Sequence, residues 1–167
     1  MITPLRLRVR SLALRLLPPY GMEKKLKIAG HVGTTVWGEI LRYFDVYQIK
    51  VGNDKRAEEF HCFIGFVSAA SDVLCQSEGA KPGGMASSNA ALSVFKLFLP
   101  DETMIETMQI TFDLHETPDE YFGLGMALGA DFGNAIFAED TSTKIAVAKS
   151  YIQLPKLIAQ IEASRKQ

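Results

Sequence analysis

Residues 117–140 read TPDEYFGLGMALGADFGNAIFAED, and the fold turns on how this stretch is taken. Its start carries helix signals. The Thr117 hydroxyl can accept from a free backbone N–H, and Glu120 three residues later completes a capping box. Pro118 then falls at the first helical position, where its missing N–H costs nothing. Asp119 and Glu120 place negative charge at the positive end of the helix dipole. The expected element is a helix over 117–139.

Its interior is unusual. Gly125, Gly129 and Gly133 recur every fourth residue and so share one helical face. Each glycine costs a helix roughly 1 kcal/mol against alanine, so a close approach by another backbone must offset it. Tyr121, Leu124, Leu128 and Phe132 form a bulky stripe on the other side. A helix apolar nearly all round is central in a bundle. The three glycines are therefore a packing face, or else a seat for a partner helix, and dense internal packing is the more economical of the two.

Three motif resemblances fall in the same stretch. Gly123, Gly125 and Gly129 approximate a dinucleotide loop. No strand leads into them, and Asp119 and Glu120 would repel phosphate. Asp131-Phe132-Gly133 spells a kinase triplet without the other kinase signatures. Residues 121–138 are apolar enough to suggest a membrane span, but Asp131 and Asn134 are costly at a bilayer's midplane. A buried helix accounts for all three.

Working outward, residues 55–77 put Phe60, Phe63, Ile64, Val67, Ser71 and Leu74 on one face. Gly65, Ser68, Ala69 and Ala70 make the other side small, and Gly79 suits the position just past the helix end. Residues 24–51 carry Val32, Val36, Ile40 and Phe44 at helical spacing. That predicts a helix to about 48, although 43–51 is rich in strand formers and leaves a short strand as the alternative. Gly52-Asn53-Asp54 is a turn and Lys81-Pro82-Gly83-Gly84 a loop. Further helices are expected over 86–99 and after Asp101, where Met104, Ile105, Met108 and Phe112 share a face. Another follows Asp140, and Pro155 either kinks it or opens a last one. The fold class is thus all-α: a single-domain bundle of about five or six helices over 22–167, with α+β and a strand at 43–51 as the alternative.

Charge is uneven along the 167 residues. Residues 1–21 hold Arg6, Arg8, Arg10 and Arg15 and no acid, whereas the rest carries 14 basic and 19 acidic residues. An acidic body argues against nucleic-acid binding, which needs a basic face. The first 21 residues read as a poorly ordered basic extension. They resemble a transit segment or a membrane-surface helix over 1–17. The break at Pro18-Pro19-Tyr20-Gly21 favours a third reading, in which the chain proper starts at Met22. Cys62 and Cys75 lie thirteen residues apart on one expected helix, roughly 20 Å. That is too far for a disulfide, and reduced thiols fit a cytoplasmic protein.

Candidate chemistry is sparse. Glu58 and His61 form an E-x-x-H pair, the spacing that di-iron bundles use twice over. No second copy exists here. His115 sits in sequence among Asp113, Glu116, Asp119 and Glu120, acids that could make it a proton carrier or simply a solvated turn. Cys62 beside His61 points about 100° away from it on a helix. The expected function is a non-enzymatic interaction or regulatory protein whose partner is another protein or a second copy. The alternatives are a metal-dependent enzyme using Glu58, His61, Asp113 and His115, and a peripheral membrane protein held through residues 1–17. Which cofactor the protein uses, if any, is not written in the sequence.

Overall fold

The central helix starts later than its capping signals imply. In the computed structural model, which describes residues 21–44 and 57–165, it runs Glu120–Phe137 and its N-cap is Asp119. Thr117 instead closes the preceding helix, with φ −137° and ψ 77°, outside the helical region that a following proline disfavours. The Asp119 carboxylate then accepts from the backbone N–H of Phe122 at 2.7 Å. Thr117 and Glu120 therefore form no capping box. Asp119 brings a full negative charge to the helix terminus, which a hydroxyl cannot.

Seven α-helices, more than the five or six expected, make up the described residues: α1 Met22–Tyr43, α2 Ala57–Ser77, α3 Met85–Phe98, α4 Met104–Glu116, α5 Glu120–Phe137, α6 Thr141–Ile152 and α7 Leu154–Arg165, with a 3-10 turn Asp101–Thr103 before α4. No strand occurs among these residues. The extra helix comes from Pro155, the second residue of α7, which separates it from α6. Helix α1 ends at Tyr43, and Phe44 is extended (φ −107°, ψ 138°). The rest of the possible strand at 43–51, the turn at 52–54 and residues 1–20 of the basic extension lie outside the described residues.

The bundle is organised around the pairing of α2 with α5, its most extensive helix contact. A Cβ placed on Gly125 would overlap the carbonyl oxygen of Cys62, and one on Gly129 that of Phe66. At Gly133 it would meet the Ala70 carbonyl oxygen at 3.0 Å. The relation is reciprocal, because a Cβ on Gly65 of α2 would overlap the Phe122 carbonyl oxygen. The two backbones thus touch along three turns, at a separation that side chains would forbid. Gly79 (φ 83°) ends α2, with Ala80 N–H reaching back to the Cys75 carbonyl at 2.9 Å in the geometry of a glycine C-cap.

Aromatic rings fill the space beside this seam. Phe44 stands 5.4 Å, centroid to centroid, from each of Phe66, Phe132 and Tyr151, in the edge-on arrangement that ring quadrupoles favour. Lys144, on the same α6 as Tyr151, is buried and donates to Glu39 of α1 at 2.8 Å, with its ammonium 5.0 Å from the Tyr43 ring centroid. The hydrogen bond to Glu39 raises the Lys144 pKa against the opposing effect of burial.

Candidate functional site

The acids around His115 do not form a cluster in space. Asp113 accepts from Gln109 at 2.8 Å on the exposed side of α4. Glu120 pairs with Arg165 of α7 at 2.6 Å. Asp119 turns to α2, where its Oδ2 lies 2.6 Å from Nδ1 of His61. His115 itself donates from Nδ1 to the Thr111 carbonyl at 2.8 Å, since a carbonyl can only accept. Its ring stands edge-on to Phe122 at 5.0 Å. Residues 113 and 115 are 200° apart on a helical wheel, so they face opposite sides of α4.

Glu58 and His61 both come from the first turns of α2, half-buried. Among the described residues no three His, Cys, Asp or Glu side chains converge in a way that would hold a metal ion. The E-x-x-H pair and the Asp113–His115 pair are not brought together. His61 acts instead with its neighbour Cys62 to hold the start of α5. The imidazole meets Asp119, and the Cys62 thiol donates to the Tyr121 carbonyl at 3.1 Å. Burial, with Asp119 and Glu59 nearby, pushes the Cys62 thiol up to about 12. Burial likewise pushes Cys75 up to about 11. Both cysteines are free and buried, and neither is a nucleophile at neutral pH.

The feature most suited to binding lies elsewhere. The sequence pattern placed Met104, Ile105, Met108 and Phe112 on one face, but the structure divides them. Met104 is buried together with Thr107 and Leu114, whereas Ile105, Met108 and Phe112 are 83%, 49% and 61% exposed. Helix α4 carries two apolar stripes and buries only one. The exposed stripe borders a cleft of about 440 Å³ between α2, α3, α4 and α5. Leu92, Phe95, Met108, Phe112 and Met126 make its apolar walls, and Ser68, Asp72, Ser87 and His115 its polar ones. Asp72 organises the polar end. Its Oδ1 accepts from Gly83 N–H at 2.8 Å and Ser87 Oγ at 2.6 Å, and its Oδ2 accepts from Gln76 at 2.8 Å.

A second signal was present in the sequence but missed by motif reading. Residues 97–143 contain ten acids and no lysine or arginine. This run comprises α4, α5 and the chain around them, and Glu106, Asp113 and Glu116 make the exposed side of α4 beyond the stripe acidic. The glycine face of α5, by contrast, is occupied inside the chain by α2. None of the helices is long and apolar enough to cross a membrane, among the described residues. The chain matches no protein-family model, no curated protein and no solved structure.

Proposed function

We propose that the protein is a non-enzymatic binding protein that holds a partner protein against α4. The observation that carries this reading is the exposed stripe of Ile105, Met108 and Phe112. Scattered exposed apolar residues are ordinary. Three on one helical face beside an apolar cleft form the contiguous kind of patch that marks interaction surfaces. The stripe sits at positions i, i+3 and i+7 of α4, the pattern by which helices dock in grooves. The described residues offer the metal-enzyme alternative no three-ligand group.

The test is site-specific photo-crosslinking in cells. A photoreactive phenylalanine analogue at position 112 is expected to yield a covalent adduct with a second, defined protein. The same analogue at Phe137, which is 67% exposed on α5, serves as the control and is expected to give none. Absence of an adduct at 112, or equal adducts at both positions, would overturn the reading.

A further inference from the structure

We infer that the segment docked on α4 is a basic amphipathic helix, with one apolar face flanked on both sides by lysine or arginine. This rests on the interaction reading above and adds the partner's chemistry. From Ile105 to Phe112 the stripe rises roughly 10 Å, two helical turns, so it matches a short helical face rather than an extended chain. On a helical wheel, Glu116, Asp113 and Glu106 all fall on the side of the stripe turned away from Thr111 and the cleft. All three are exposed. Across the cleft stands Asp72, whose carboxylate receives, among the described residues, the neutral donors Gly83, Ser87 and Gln76. An apolar floor therefore runs between two negative margins, and among the described residues no lysine or arginine pairs with Glu106, Asp113 or Glu116 on the α4 side.

Complementarity of this kind selects partners and steers their approach. A second copy docking through the same stripe would set Glu106, Asp113 and Glu116 against their own duplicates. An anionic bilayer meets the same repulsion. A helix with basic flanks instead places its cations against both margins while its apolar face covers Ile105, Met108 and Phe112.

Fluorescence anisotropy with the full chain tests this directly. The probes are a labelled Leu/Lys amphipathic peptide of about 18 residues, long enough to become helical when docked, and its Leu/Glu counterpart. The Leu/Lys peptide is expected to bind at least about tenfold more tightly, with affinity falling as salt rises. Phe112→Ser, and separately the pair Asp113→Lys and Glu116→Lys, are each expected to weaken binding about tenfold. Glu23→Lys, an equally exposed acid on α1, should leave it within about twofold. All of these sites are exposed, and unchanged circular dichroism would establish that the variants fold. Equal binding of the two peptides, or an equal loss in Glu23→Lys, would overturn the inference. So would a dimer by size exclusion that Phe112→Ser dissolves, which assigns the stripe to a second copy. A crosslinked partner at 112 without Leu/Lys binding would refute the chemistry and spare the interaction reading. Failure of both experiments would refute both.

Discussion

The Asp119 carboxylate joins two helices that are distant in sequence. Its Oδ1 caps α5 through the Phe122 N–H at 2.7 Å, and its Oδ2 meets Nδ1 of His61, 58 positions earlier, at 2.6 Å. One side chain thus ends the α4–α5 turn, starts α5 and fixes where α5 begins against α2. This is why the N-cap falls two residues after Thr117, the first capping signal in the sequence.

The two roles of Asp119 separate by substitution. Asparagine caps helices as well as aspartate does, so Asp119→Asn should lose only the charge facing His61. Asp119→Ala loses the cap as well and should cost about 1 kcal/mol more. Urea titrations that rank the two variants equal would show that the cap contributes nothing.

Glycines on α5 should respond with opposite signs. Around Gly123 nothing lies within 4 Å of an added Cβ, so Gly123→Ala should stabilise the protein by nearly 1 kcal/mol through helix propensity. At Gly129 the Cβ would overlap the Phe66 carbonyl, and Gly129→Leu should destabilise by roughly 3 kcal/mol as α2 and α5 are forced apart. Stabilisation by Gly129→Leu would contradict the seam on which the fold rests.

Lys144 and Glu39 form a pair whose loss should be felt one-sidedly. Lys144→Met removes a buried cation and leaves the Glu39 carboxylate without its partner, an expected cost of about 2–3 kcal/mol. Adding Glu39→Leu should restore most of it, because a well-packed apolar pair replaces a buried ion pair at little net cost. Additive losses in the double variant, measured by thermal melts, would show that the two residues act independently.

Asp140 should make stability depend on acidity. It caps α6, and hydrogen bonds from the Thr143 and Ser142 hydroxyls hold its carboxyl down at about 2, against an ordinary 3.8. A lowered folded value means that the stabilising form is the carboxylate. Its contribution is therefore complete above the ordinary value and disappears as pH falls from there to about 2. The melting-temperature gap between the wild type and Asp140→Ala should be constant at neutral pH and shrink across that window. A gap unchanged at pH 2 would show that the carboxylate's charge plays no part.

Much of the fold was legible in the residues themselves. Fourfold glycine spacing marked the helix that pairs backbone to backbone, because only missing side chains permit that approach. Gly79 marked the end of α2, and Pro155 marked a possible break, since each restricts the backbone locally. Local signals also predicted separate thiols on one helix. The acidic run 97–143 was equally plain, although no motif announces it.

Other features depended on which surfaces found partners. Thr117 and Asp119 are both competent caps, and the contact with His61 across 58 positions coincides with the one in use. The acids near His115 are neighbours in sequence, but helix geometry and contacts with α2 and α7 send them in different directions. Above all, α4 bears two apolar stripes, Met104 with Leu114 and Ile105 with Met108 and Phe112, and helical periodicity treats them alike. The way α4 packs on its neighbours, α3 among them, decided which stripe the core took. A helix's pattern determines that it has an apolar face, but the direction that face points is a property of its neighbours.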